Sequence, residues 1–469
     1  MRNLIKHFLP KKQPTTLSIE EAASLLHTSP EALQAFEHAY KIAQEQTHSD
    51  DLMQTSSQDI KKQRPVQDIC PQELIDRIVT ELLANTAVWS WDGTTISDNS
   101  QSLTQTTPLV SVEEVNSLPL DIRPQATGFL KATQVDHASY KTVLSVYNMM
   151  QKEKNMQKKQ TLYHMFRQGL DILDLDPVLY EILGMNRNAM GYWLPNILPA
   201  VQKTNTFRVP KTHIIKVPLP ILQLSRMEFE SINRTTLNIL DDWLFQLCDL
   251  DESKDYFVKT GTYSSKYNFR NAKVTGAKEV RETAEYLLFL SNQAVHMAGP
   301  LTNVSRYGVS TTNEWVVREY IADTENNPCI YNGMPLHTEY RAFVDFDTKE
   351  ILGIHPYWDK DIMMERFTGY EDSKDPVMVH DAVIYKMHEN TLYQRYEENK
   401  SLVLKKLETL LQENIDLTGQ WSIDIMQNGD DFWLIDMAVA ENSAFYKETV
   451  PLELRRPVPE NWLPDFSQK

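Results

Sequence analysis

One hairpin constrains this chain more than any other segment. The run Trp421-Ser-Ile-Asp424-Ile-Met-Gln-Asn-Gly-Asp-Asp-Phe-Trp-Leu-Ile-Asp436-Met reads as two apolar strands joined at Asn428-Gly429, a strong short-range hairpin signal. Each strand carries an Asp among residues that otherwise look buried, and a carboxylate in such a place is costly unless a cation or a donor meets it. Strand faces alternate with a period of two, so register decides whether the two Asp residues cooperate. With Asp424 opposite Leu434, Asp436 lies one diagonal step away on the same face. That arrangement needs a loop with an odd number of residues, such as Asn428 to Asp430; a two-residue loop is expected to split the carboxylates between faces. Taken alone, the hairpin fits a magnesium site and fits equally a ribbon whose Asp residues face water.

Upstream segments add chemistry. Asp255-Tyr-Phe-Val-Lys259 is a short strand ending in a lysine, followed by the hydroxyl-rich turn Thr260-Gly-Thr-Tyr-Ser264-Ser265-Lys266. Backbone N–H groups and hydroxyls in such a loop can wrap phosphate oxygens while lysines neutralise them. Glu314-Trp-Val-Val-Arg-Glu319-Tyr320-Ile321 is a β-rich run that can present backbone groups to a purine edge. In His337-Thr-Glu339-Tyr-Arg341-Ala-Phe-Val the Glu and Arg are two residues apart, so both side chains leave one strand face. Asp347-Thr-Lys-Glu turns that strand back into Ile351 to Trp358.

The order of these pieces resembles the ATP-grasp superfamily: strand with Lys, Ser-rich loop, apolar strand with its Glu319-Tyr320-Ile321 end, Glu-x-Arg hairpin, Asp…Asp hairpin. The segments Glu339 to Val344 and Ile354-His-Pro-Tyr-Trp358 look like the viral and bacterial branch related to the eukaryotic translation-initiation-factor assembly chaperone. The resemblance spans roughly residues 190 to 450 and rests on spaced short motifs. It implies ATP and Mg2+ as ligands. Lys259 would contact the α and β phosphates, and Ser264, Ser265 and Lys266 would close over the triphosphate. Glu319, Tyr320 and Ile321 would form the adenine hinge, with Glu339 near the ribose or triphosphate and Arg341 on the phosphates. Asp424 and Asp436 would hold the magnesium ions. Where the family usually places an Asn, two residues after the second acid, this chain has Ala438; Asn442, or its neighbour Glu441, is expected to supply that oxygen. Lys259 and Arg341 are the residues expected to carry catalysis. The implied activity is a carboxylate-amine ligase: a substrate carboxylate attacks the γ-phosphate, and an amine or similar nucleophile, on a small molecule, peptide or protein, displaces phosphate from the resulting acylphosphate. The competing expectations are a non-catalytic ATP-binding assembly factor for a partner protein and a regulator acting through the N-terminal helices.

The rest of the chain bounds these expectations. With 469 residues it can hold two or three domains with sizeable cores. A formal net charge of −17 argues against a nucleic-acid surface spread over the protein. The three cysteines, Cys70, Cys248 and Cys329, are widely spaced, which favours a reducing compartment and gives no cysteine-based zinc site. No apolar run approaches the roughly 18 residues of a membrane span, and Met1 to Pro10 lacks a secretory apolar core; a cytoplasmic protein without a membrane role is expected. There is no GxxxxGKS/T P-loop, no GxGxxG and no GxSxG elbow.

Leu17 to Phe36 reads as two short amphipathic helices with Ser18 and Ser29 as N-caps and Pro30 at N1. The pair resembles the helix-turn-helix of small excisionase-like regulators. Its second helix carries Glu31 and Glu37 where a reader of DNA needs basic or amide groups, so packing or partner docking is expected instead. The expected class is α+β, with an N-terminal helical region before a two-lobed ATP-grasp core of antiparallel sheets. The expected divisions are a helical pair (1–42), a polar linker (43–68), a mostly helical region (69–189), the core (190–450) and a tail (451–469). Phe207 to Pro218 alternates like an edge strand interrupted by prolines.

Overall fold

The computed structural model of the protein describes residues 72–102, 186–225, 234–298 and 312–456, with scattered positions between 149 and 184 and Ile232. The expected helical pair, the linker and Cys70 lie outside the described residues, as does the tail beyond residue 456.

The chain builds α1 (Gln72–Asn85), β1 (Val88–Trp91), β2 (Ile96–Asp98), α2 (Met190–Thr204), β3 (Thr212–Lys216), α3 (Arg234–Leu247), β4 (Tyr256–Thr260), β5 (Lys273–Val274), α4 (Thr283–Ala298) and β6 (Glu314–Glu319). It continues through β7 (Cys329–Ile330), β8 (Met334–Pro335), β9 (Glu339–Asp345), β10 (Glu350–Pro356), α5 (Lys360–Arg366), α6 (Pro376–Leu411), β11 (Gln420–Asn428) and β12 (Asp431–Val439). Two antiparallel sheets result, ordered β2-β1-β3-β6-β4-β5 and β10-β9-β11-β12, with a small β7-β8 ribbon between them in sequence. The α+β class with antiparallel sheets is as expected.

Alternation sorts the side chains of the larger sheet. Trp315 and Val317 of β6, Ile215 of β3 and Val258 of β4 pack with Ile78 and Leu82 of α1, Leu240 and Trp243 of α3 and Leu287 of α4. The opposite face of β6 and β4 carries Val316, Arg318, Phe257 and Lys259, paired as Lys259↔Val316 and Phe257↔Arg318. In the smaller sheet Tyr340, Ala342 and Val344 of β9 and Ile423 and Ile425 of β11 pack against Trp193 and Ile197 of α2 and Val403 and Leu407 of α6. Its other face presents Arg341, Asp424 and Asp436.

Two expectations are revised. Phe207 to Pro218 is not an interrupted edge strand: the strand it holds, β3, sits between β1 and β6. Pro210 and Pro218 fall outside Thr212–Lys216, so no ladder N–H within the strand is lost. The core also reaches back before residue 190, because β1 and β2 extend the larger sheet and α1 covers it.

Helix α2 is docked by a buried acid. Glu314, whose side chain is 1% exposed, accepts from the Gly191 N–H at 2.9 Å and pairs with Lys216. A carboxylate suits the positive end of a helix. A Cβ at Gly261 would lie 2.8 Å from the Glu314 carboxylate, so only glycine lets this loop approach.

The hairpin has a different register from the one expected. Asn428 pairs with Asp431, leaving a two-residue loop, Gly429-Asp430, with Gly429 at φ +63° in the first turn position, where glycine is preferred. Such a loop alone would set Asp424 opposite Ile435. Instead the ladder shifts between Asp424 and Ile425, and Asp424 faces Asp436 directly. Ile435 is the extra residue of a β-bulge, two residues against one. Its carbonyl accepts from Arg318 Nη1 at 2.6 Å. The carboxylates therefore share a face because of the bulge, not because of loop length.

The turn gives a stability prediction. Thr324 Oγ1 would lie 3.4 Å from a Cβ at Gly429, an ordinary contact, so the cost of a side chain there is conformational. Gly429→Val should destabilise by about 1–2 kcal/mol in urea unfolding, and Gly429→Asn by clearly less.

Candidate functional site

A cleft lies between the two sheets. From the larger sheet and the loops around it come Lys259, Ser264, Lys266, Arg318, Glu319, Tyr320 and Ile321; from the smaller come Glu339, Asp424, Ile435 and Asp436. Nine of the twelve residues singled out in the sequence line this space, although they span positions 259 to 436. Arg341 stands directly behind Asp424. Ser265 does not line the cleft; it adopts a left-handed φ of 48° where the chain enters the 3-10 turn Lys266–Asn271. Asn442 ends a 3-10 turn beyond β12 and is also not among the lining residues.

Charge is organised as a row across the smaller sheet. Register places His355, Arg341, Asp424 and Asp436 side by side on β10, β9, β11 and β12. Arg341 grips Asp424 with both arms, Nε to Oδ1 at 2.8 Å and Nη2 to Oδ2 at 2.6 Å. Both side chains are largely buried, so the fork is worth far more than a surface pair. Asp436 reaches the other sheet: Lys259 Nζ donates to its Oδ2 at 2.9 Å, with the lysine side chain 3% exposed and the Asp side chain 41% exposed. Asp436 is thus the carboxylate open to a ligand, and Asp424 the one committed to the framework.

Other cations converge. Arg318, 4% exposed, also donates from Nε to Thr212 Oγ1 at 3.2 Å. Lys266 hydrogen-bonds the Tyr357 hydroxyl, and its Nζ lies 4.5 Å from the centre of that ring. The Arg341 guanidinium lies 4.7 Å from the same ring, a distance at which cation–π attraction acts. Burial pushes the Glu339 carboxyl up to about 8, with the nearby Asp424 charge adding to the effect. At neutral pH Glu339 is therefore mostly a neutral acid, and four cations (Lys259, Lys266, Arg318, Arg341) gather in and behind the cleft beside three other carboxylates, Asp424, Asp436 and Glu319.

The rest of the wall is apolar: Phe257 and Phe269 from one side, Met334, Met426 and Ile435 from the other. At the end of β6 the N–H groups of Glu319 and Tyr320 are already taken, by the carbonyls of Lys211 and Asp255. The Glu319 carboxylate sits near Lys211 and Lys254, at 3.7 and 3.8 Å. The strand end is fastened to the hairpin turn, since Asn428 Oδ1 accepts from Thr324 N and Oγ1 and its Nδ2 donates to the Ala322 carbonyl.

Asp323, Glu325 and His337 also gather, with ligand atoms within 4.8 Å of one another. That group is internally satisfied. Asp323 accepts from Asn327 N at 2.7 Å and Nδ2 at 2.9 Å, Arg395 pairs with Glu325 at 3.4 Å, and burial lowers the His337 pKa so that the ring stays neutral. It closes the loop into β9. Sequence reading missed Arg318, Met426 and Ile435. Arg318 had a signal, an arginine directly after the apolar run Trp315-Val-Val; Ile435 had none, because a bulge leaves no mark on alternation.

No family model matches this sequence. No curated protein matches it. Two solved structures are similar at low scores. Both are structures of Cdc123. The first, from Schizosaccharomyces pombe, is 16% identical with a TM-score of 0.29 and covers 55% of this chain and 84% of its own. The second, a C-terminally truncated form from the same organism, is 15% identical with a TM-score of 0.28, covering 55% and 87%. Among the described residues no helix is long and apolar enough to cross a membrane, and Cys248 and Cys329 are both free.

Two outcomes follow from the charges. Arg341→Met should destabilise the fold by about 3–5 kcal/mol in denaturant titration, because Asp424 is left buried without its partner; the double variant Arg341→Met/Asp424→Leu should regain most of that loss. Glu339 has a folded-state pKa raised above its unfolded value near 4.5. From about pH 4.5 to 8 the folded protein keeps a proton that the unfolded chain releases, so its contribution is complete at low pH and fades as pH rises through 8. The melting-temperature advantage of Glu339→Gln over the parent should accordingly be absent near pH 4.5, grow with pH and level off above 8.

Proposed function

We propose that the cleft binds ATP with magnesium and that the protein is an ATP-grasp-type ligase. The observation that carries this reading is the convergence, between two antiparallel sheets, of four cations, two carboxylates on one strand-pair face and an apolar wall beside a strand end. A polyphosphate is the ligand class that such a positive excess suits, since each charged oxygen can take a charge-assisted hydrogen bond. The apolar wall of Met426, Ile435 and Phe269 suits a planar base. Magnesium needs only one or two protein carboxylates beside phosphate oxygens and water. Asp436 fits that demand, being open to the cleft, while Asp424 can share a charge already shared with Arg341. ATP, when bound, supplies the phosphoryl group, and magnesium offsets its charge.

The chain's own residues then align and neutralise, which is most of what phosphoryl transfer requires. Lys259 and Lys266 approach from one sheet and its loop, and Arg341 from the other. Glu339, neutral at pH 7, can donate a hydrogen bond to a phosphate or ribose oxygen instead of repelling it.

A second reading, nucleotide binding without turnover in the service of a partner protein, draws on Ala438. It stands on β12 opposite Ser422, two residues along from the Asp424–Asp436 pair, and brings a methyl group where a third oxygen is expected.

Calorimetry decides the first point. ATP should bind with an affinity that magnesium raises, Lys259→Ala should weaken it at least tenfold, and Asp436→Asn should remove most of the magnesium effect while the protein remains folded by circular dichroism. Absence of magnesium-dependent ATP affinity in the intact protein defeats the proposal. Release of ADP on adding small-molecule or peptide fractions separates the ligase from the non-catalytic holder.

A further inference from the structure

Glu339 and Trp358 also border a second cavity, of about 300 Å³, on the side of the smaller sheet where α5 and α6 begin their packing. Trp358, Tyr385, Tyr393 and Tyr396 form its walls, and Asp359 and Glu389 bring carboxylates to it. The hydroxyls of Tyr385 and Tyr396 are occupied, donating to the carbonyls of Trp358 at 3.0 Å and Ile354 at 3.2 Å. The rings are thus held as fixed aromatic walls.

We infer that this cavity is a binding site for a primary ammonium group, carried by the acceptor that consumes the carboxylate activated in the neighbouring cleft; the acceptor role rests on the nucleotide-binding reading above. Four observations carry it. The cavity has negative excess: the one lysine lining it, Lys360, is paired with Glu389 at 3.0 Å with its side chain 67% exposed, which leaves Asp359 uncompensated. One Asp359 oxygen caps α5 at Ile362 N, and a carboxylate oxygen lies 3.8 Å from His355 Nε2, so the group is held in place without a permanent cation. Ring faces attract a desolvated ammonium. Thr338, 2% exposed, lines the cavity, and its buried Oγ1 has no hydrogen-bond partner within the protein. Burial raises the Tyr385 pKa, and Glu389 and Asp359 raise it further, which reports the same negative field. The volume is at the small end of ligand sites, suited to an alkylammonium and not to a second nucleotide.

The chemistry balances simply. The ammonium releases one proton to water, its lone pair forms the C–N bond to the acyl carbon, the C–O bond to phosphate breaks, and the departing phosphate takes the second proton from the nitrogen and leaves as hydrogen phosphate.

Calorimetric titration of the full chain tests the site with two probes, butylammonium and Nα-acetyl-lysine amide, each beside its uncharged counterpart, butanol and Nα-acetyl-norleucine amide. Both cationic probes binding at least tenfold more tightly than their counterparts, with Asp359→Asn and Glu389→Gln each weakening them at least fivefold, is the expected result. Tighter binding of the lysine amide than of butylammonium would identify a peptide side chain as the source, and the reverse a free amine. Asparagine keeps the cap on α5, so loss of binding in Asp359→Asn with an unchanged melting temperature reports the charge. Equal affinity for charged and uncharged probes, or variants that bind as the parent does, overturns the site. Magnesium-ATP affinity is measured on the same samples: unchanged affinity in both variants supports two separate sites, whereas amine binding by a protein that does not bind ATP overturns the acceptor role.

Discussion

Two sheets can close over a layer of charge only when each charge is met from the opposite side. Here the closure depends on the fork between Arg341 and Asp424 within one sheet and on the contact of Lys259 with Asp436 between sheets. Remove the first and a carboxylate is stranded next to Glu339, whose own charge is already suppressed by burial. Remove the second and the larger sheet loses one of its polar contacts with β12. The guanidinium of Arg318 adds a third tie, to the backbone of Ile435, so the same strand is held at neighbouring positions by two cations from the facing sheet. A site with this construction is stiff in its framework and adaptable in its counterions.

Much of this was legible in the sequence because charged residues in apolar strands are expensive and so few in number. Lys259, Arg341, Asp424 and Asp436 each interrupt an apolar run, and each is found at the cleft. The Ser-rich loop was legible in position but not in detail: Ser264 faces the space and Ser265 does not, a difference set by the left-handed backbone at Ser265, which no spacing rule announces. Asn442 was singled out only because Ala438 lacks a side-chain oxygen; it ends a 3-10 turn beyond β12 and does not line the cleft. The location of β3 inside its sheet was hidden because its partners, β1 before it and β6 after it, are distant in the sequence. Local pattern carries no information about such pairings.

Glu339 stands at the start of β9. It borders both cavities, and its proton responds to whatever charge either one takes up. A cation at Asp359 and Glu389, or a metal at Asp436, would each draw the proton off; a polyphosphate alone would hold it on.

The bulge at Ile435 has a geometric consequence of its own. A regular strand offers every second side chain to a given side, spaced nearly 7 Å apart. By taking Ile435 out of the ladder, β12 directs two consecutive side chains, one greasy and one acidic, into the same space. The strand thereby doubles its local density of contacts and sets an apolar shelf beside an anion at a separation that a uniform pleat cannot produce. A mixed ligand, part flat ring and part charged tail, can be read by one strand over the length of two residues.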